Sequence, residues 1–401
     1  MSTSEVRSSV TLRPIILPEP KKGGWRGLLR WLWWFVAGTF FCFNPLLSII
    51  ALGWLTRWTQ SRVLWGWWRS SDRRDQESFP EFGQSLSQPV IAHPRWLWGE
   101  PLLASQPQTT WQKVKRFFYV PFGSLWLNLK TGVVMLFAMQ LLLGLPCLLM
   151  HFGWVLGWLN SFNKGYEQAW MGPTFSLLGI LLFVLAMLYI PMARAHLAVT
   201  GRLRSFFEVR FIWRLARIRL AASLGLAAVI ALLSVPLEIL KTLPLGFDDG
   251  YNPLWANATD AEVQSLLNNY YGLVSLILFG SMILSLMLSA RVYRKSLLRA
   301  LERGDITREE LSERVRSWLA RLDALPSTDQ TKAPVVVRGL KMLVRPALYS
   351  ALVVIWLLFT FKVYVGEFFQ RHRTSGFLNH ALVQIPCLTN VPKPPPDLTP
   401  P

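Results

Sequence analysis

Acidic residues are scarce in this chain. Against 42 Lys and Arg there are 23 Asp and Glu, a net charge of +19. Charged residues of both signs make up only 16% of 401 residues, where a soluble domain runs nearer a quarter. Three cysteines, Cys42, Cys147 and Cys387, are too few and too scattered for a disulfide framework. There is no P-loop, no Gly-x-Gly-x-x-Gly, no Gly-x-Ser-x-Gly, no His-Glu-x-x-His and no paired Cys-x-x-Cys. These absences remove the common signatures of nucleotide, hydrolase and zinc chemistry. They do not exclude an enzyme built from isolated residues.

What the chain has instead is long uncharged runs, at 131–159, 168–193, 220–237, 263–290 and 346–361. A spanning helix needs roughly 17–25 mostly apolar residues, so the first four qualify. The fifth qualifies if Lys362 snorkels and the helix continues to residue 366. Twenty Trp fit the same picture, because indoles prefer the membrane interface. The positive charge sits in loops beside these runs, where it is retained on the cytoplasmic side and meets anionic lipid headgroups. That placement argues against nucleic acid as the partner. The pattern predicts an all-α, polytopic integral membrane protein with five full transmembrane helices plus an N-terminal Trp-rich re-entrant or interfacial unit. The alternative is six full spans.

In chain order, residues 1–24 read as a disordered arm, polar and mixed in charge, with no cleaved signal peptide expected. Residues 25–68 hold an uncharged run, 31–55, interrupted at Asn44-Pro45. Its first arm, 31–43, reaches about 20 Å, short of a bilayer core of roughly 30 Å. A hairpin returning to its own side keeps Lys21, Lys22, Arg26 and Arg30 with the basic residues beyond Arg57. Trp54, Trp58, Trp65, Trp67 and Trp68 with Arg57, Arg62 and Arg69 suit a helix in the headgroup region. Residues 69–130 read as an irregular cytoplasmic loop, with 109–129 lying at the interface. Residues 131–290 form a four-helix membrane core around a basic cytoplasmic hinge, 194–219. There, Arg194, Arg202, Arg204, Arg210, Arg214, Arg217 and Arg219 face a single acid, Glu208. Loops 160–172 and 241–271 face outward. Residues 291–345 return to the cytoplasm, 346–366 form the last span, and 367–401 form a Pro-rich tail.

Within 296–322 the sequence predicts a helical pair. Gly304 ends the first helix. Thr307 opens the second through a capping box with Glu310, and Leu311, Val315, Trp318, Leu319 and Leu322 form its apolar side. Arg210, Arg214 and Arg217 fall on one stripe beside Phe207, Phe211, Leu215 and Ile218, and are candidate contacts for anionic lipid headgroups. Candidate intramembrane polar residues are His151, Glu238 and Lys241. The bland alternatives are a hydrogen-bonded histidine and a pair that merely ends its helix. Arg194 and His196 read as interfacial anchors, Asp248-Asp249 as a solvated loop, and Asn257-Ala258-Thr259 as a glycosylation acceptor only in a secretory pathway. No catalytic, cofactor-binding or metal-binding residue is assigned, and no cofactor is expected.

Two stretches carry a resemblance. One is Phe43-Asn44-Pro45 through Leu52-Gly53-Trp54-Leu55, followed by Phe79-Pro80-Glu81-Phe82. The other is Ile190-Pro191-Met192-Ala193 through Thr200-Gly201-Arg202-Leu203, followed by Ser205-Phe206-Phe207-Glu208. Together they resemble an uncharacterised family of multi-pass bacterial membrane proteins, a domain of unknown function. The long segments 69–130 and 291–345 depart from that family's compact form. Leu301-Glu302-Arg303-Gly304-Asp305-Ile306-Thr307 and the residues after it resemble a short C-terminal helical-pair module associated with oligomerisation, which implies self-association through 296–322. Neither resemblance supplies an activity. The expectation is a non-enzymatic scaffold or accessory protein of a bacterial inner membrane, with a small-solute or lipid transporter as the alternative.

Overall fold

Asn44 and Pro45 divide the N-terminal apolar run as their chemistry requires. In the computed structural model, which describes residues 25–97, 110–153, 170–242, 259–323, 346 and 350, helix α1 (Trp25–Phe41) ends three residues before Asn44. The Asn44 side chain then accepts from the Leu46 amide at 2.9 Å, and Pro45 takes the first position of α2 (Pro45–Trp68). An amide-accepting cap followed by a residue without N–H is the favoured start of a helix. The chain reverses there. Trp34 of α1 and Trp54 of α2, twenty positions apart, have ring centroids 5.9 Å from each other. A straight helix would hold them about 30 Å apart, so 31–55 is a hairpin and not one continuous span.

The other helices are α3 (Phe79–Gln84), α4 (Thr110–Gly153), α5 (Met171–Thr200), α6 (Val209–Ile218), α7 (Leu220–Thr242), α8 (Asp260–Glu302) and α9 (Glu313–Arg321). The described structure is 83% helical, with no strand among the described residues. Among the described residues three segments are long and apolar enough to cross a membrane: Phe122–Met150, Met171–Thr200 and Gln264–Glu302. Five full spans are not established. In α7 only a shorter apolar stretch, Leu220–Ile230, is described with that character; 346–366 lies outside the described residues except for Pro346 and Ser350, and 1–24 and 367–401 lie outside them entirely.

The core differs from the expected four-helix arrangement, because α2 is a full member of it. α4 packs along both α5 and α2, while α8 packs along α2, α7 and α5. Trp54, Trp58 and Trp67 are buried. The expected interfacial helix is thus interior: its tryptophans fill space between helices, with the Arg62 guanidinium stacked 4.9 Å from the Trp58 ring. α2 and α4 touch at backbone distance. A Cβ at Gly53 would strike the Asn128 carbonyl, and one at Gly132 would strike the Ile49 carbonyl. Small residues permit this approach where apolar solvent gives helices no hydrophobic drive to associate.

Residues 69–130 are not one irregular loop. α4 already begins at Thr110, and α3 sits on a capping box of Ser78 and Glu81. Residues 88–97 run without regular structure into the space between α1, α2, α4 and α8. Their carbonyls are met by side chains and by one helix amide. Ser61 donates to Ala92 at 2.8 Å, the Trp54 indole to Pro94 at 2.9 Å, and the Leu125 amide to Leu97 at 3.3 Å. The fully buried Asn128 amide donates to both Arg95 and Trp96, at 2.9 and 2.8 Å, and its oxygen accepts from Arg57 at 2.8 Å. Irregular backbone inside an apolar bundle persists only when protein groups satisfy it in this way. Trp96 seals the insertion, stacked 4.2 Å from Trp54 and 5.1 Å from Phe41, with Phe279 of α8 at 6.0 Å.

The helical pair is also rebuilt. Residues 296–302 are the end of the 43-residue α8 and not a separate helix. Gly304 ends it with φ +72, its amide bonding Leu301 and the Asp305 amide bonding Ala300, the two bonds of a Schellman cap. The next helix starts at Glu313 under a Ser312 cap. Thr307 meets Glu310 through its backbone amide at 3.4 Å, yet no helix follows, because the turn first buries Ile306 and Leu311. Val315, Trp318, Leu319 and Leu322 are buried as expected.

Asn128→Ala strips three partners at once and is expected to destabilise the folded protein by about 1–3 kcal/mol or more. Denaturant unfolding in micelles, followed by tryptophan emission, reads this, and an unchanged midpoint would refute the role of Asn128. Ser312→Ala should cost the 313–321 helix about 1 kcal/mol and speed its amide exchange. Thr307→Ala should leave that exchange unchanged, and the opposite ranking would restore Thr307 as the cap.

Candidate functional site

The last turns of α5 hold polar residues where exposure is expected, yet residues 191–200 are all buried. The reason is local. Gly201 stops the helix, and a 3-10 turn (Leu203–Phe207) folds the chain back over it. Phe206 is buried beneath the turn, and the Tyr189 hydroxyl donates to its carbonyl. Thr200 and Ser205 hydroxyls meet at 2.5 Å, and Thr200 also donates to the His196 carbonyl at 2.9 Å. The turn delivers Glu208 to the N-cap position of α6, beside His196.

His196 is 3% exposed and joins three elements. Its Nε2 lies 3.1 Å from the Glu208 carboxylate and its Nδ1 lies 2.7 Å from the Tyr293 hydroxyl of α8. A carboxylate only accepts, so Nε2–H donates to Glu208; in that tautomer of the uncharged ring, Nδ1 is the acceptor for the Tyr293 O–H. Glu208 is 43% exposed. The result is a relay from a fully buried phenol through imidazole to a carboxylate at the surface. It can pass a proton along its length, and it fastens α5, α6 and α8 together. Arg194, two residues before His196, is 5% exposed, and its Nε finds no acceptor among the described residues.

Of the predicted headgroup contacts, Arg210 and Arg217 are exposed. Arg214 is not available in the way expected. It forms a two-pronged ion pair with Glu310 and donates to the Asp305 carbonyl at 3.1 Å. These hydrogen bonds hold the Glu310 carboxyl below the ordinary carboxylate range. The apolar stripe of α6 covers protein and not lipid, with Phe211, Ile212, Leu215 and Ala216 buried. His151 lies in the final turns of α4, and Glu238 and Lys241 in the final turns of α7; their side chains lie outside the described residues. Asp248-Asp249 and Asn257 also lie outside them. Arg194 and His196 are interior groups and not interfacial anchors.

Two further features were not foreseen. Arg314 of α9 reaches Gln88 at 2.5 Å and Arg321 donates to the Ser85 carbonyl, so α9 is tied to the chain leading into the inserted segment. Burial and the nearby Arg202 lower the pKa of Arg314. A groove of about 370 Å³ is lined by Arg219, Lys295, Arg299 and Glu302. Among the described residues no cluster of His, Cys, Asp and Glu could hold a metal. No protein-family model, curated protein or solved structure matches this chain.

Tyr293→Phe and Glu208→Gln each remove one end of the His196 relay. In a double-mutant cycle their effects should couple by about 0.5–3 kcal/mol, because both act on one ring. Strictly additive losses would show that the two contacts work independently.

Proposed function

We propose that this chain is a multi-pass protein of a bacterial inner membrane, with a non-enzymatic scaffold or accessory role and its basic end in the cytoplasm. The observation that carries this reading is the construction of that end. α6 is fastened to the ends of α5 and α8 by the His196 relay, and to the turn after α8 by the Arg214–Glu310 pair. Outside this cap stand exposed arginines, among them Arg202, Arg204, Arg210, Arg217 and Arg303. A rigid cationic platform mounted on apolar helices suits retention on the cytoplasmic side and contact with anionic headgroups. The asymmetry supports the orientation, because Asp260 and Glu262 open α8 at the opposite end. Self-association through 296–322 would use the exposed side of α9, its apolar side being buried within the protein.

A transporter of a small solute or lipid is the second reading, and the His196 relay is the observation that favours it. Buried ionisable chains of this kind carry protons in pumps and transporters.

The two readings separate in one preparation. In a Cys387→Ser background, Ala261→Cys should react with a membrane-impermeant maleimide in intact cells, and Arg303→Cys only after permeabilisation. The reverse pattern would overturn the orientation. In proteoliposomes the protein should leave an imposed proton gradient intact. A leak abolished by His196→Ala would replace the scaffold with the transporter.

A further inference from the structure

One face of α8 changes character along its length. Leu273, Leu276, Leu284 and Met287 are all exposed, at spacings that keep them on a single stripe. The same stripe continues three or four residues at a time through Arg291, Lys295, Arg299 and Glu302. The last three line the groove with Arg219. Arg219 immediately precedes Leu220, the first residue of α7, which is itself exposed. The groove therefore opens at the level where two neighbouring apolar helices begin to carry charge. Lys295 stands about 12 Å along the axis from Met287.

We infer that this groove binds the phosphate of an anionic phospholipid, whose acyl chain lies along the Leu284–Met287 end of the stripe, the part within one leaflet's roughly 15 Å of hydrocarbon. The inference rests on the membrane reading proposed above. Three cations against one carboxylate give the lining a net positive charge. Guanidinium groups offer paired donors to phosphate oxygens, and the Lys295 ammonium adds a point charge. A free phosphate would satisfy the cations alone. The apolar stripe running directly into them is the feature that favours a lipid, because one ligand then covers both. The predicted triad on α6 lacks this continuity, since its apolar side is buried in protein.

The test uses the full chain purified in detergent and titrated with short-chain phosphatidylglycerol under native mass spectrometry. One tight binding event is expected. Lys295→Gln with Arg299→Gln should weaken it about tenfold or more, while Arg210→Gln with Arg217→Gln should not. Leu284→Asn with Met287→Asn should weaken phosphatidylglycerol but leave inorganic phosphate unaffected. Phosphatidylcholine should compete poorly. Equal affinity in the wild type and the Lys295/Arg299 variant, with both retaining the same thermal midpoint, would overturn the site. Inorganic phosphate that displaces the lipid at equal concentration would also overturn it, by showing a soluble-anion site. Release of the chain from membranes by alkaline carbonate would instead refute the membrane reading itself, independently of the groove.

Discussion

A segment that abandons helical hydrogen bonding inside a helical bundle leaves each of its carbonyls to be met individually, and residues 88–97 impose that demand on everything around them. Asn128 must sit within reach of Arg95 and Trp96, so α4 must lie against the inserted chain. Trp54 and Ser61 must face the same way, which fixes the rotation of α2. α2 and α4 must then meet closely, and Gly53 and Gly132 allow it. Each unmet carbonyl would cost about 1–3 kcal/mol, comparable with the contribution of an aromatic stack, so the polar fit constrains the packing as much as the aromatics do.

The basic end obeys a second version of the same rule. Residues 191–200 carry polar groups, and the 3-10 turn covers them, bringing Ser205 to Thr200 and Glu208 to His196. The exposed Arg214–Glu310 pair contributes little by itself, since surface ion pairs are worth about 0–1 kcal/mol. Its value is positional, because it brings the turn after α8 against α6. The buried relay through His196 sets the distance between α5 and α8.

Much of the helical content was legible in the sequence because it rests on composition: uncharged runs, an Asn-Pro break and a glycine stop are local signals. The break at Asn44, the cap at Gly304 and the apolar side of α9 follow from such signals. What stayed hidden depends on long-range pairing. Nothing local distinguishes an arginine facing lipid from Arg214 facing Glu310, ninety-six residues later. A Trp-rich helix with arginines has the composition of an interfacial helix whether its indoles meet headgroups or other helices. Glu208 was visible as the lone acid in a run of arginines, and Tyr293 as the one aromatic in the basic end of α8. Their meeting at His196 was not, because it needs the fold.

The inserted segment also sets a timetable. Trp96 closes against Phe279, 183 positions further along the chain. At roughly 5–20 residues per second, a ribosome needs about 10–40 s to deliver that partner. During this interval the carbonyls of 92 and 94–97 can already meet Ser61, Trp54, Leu125 and Asn128, while the Trp96 ring lacks its α8 neighbour. The N-terminal third is therefore a nascent intermediate with an open socket, and its completion waits on the synthesis of α8.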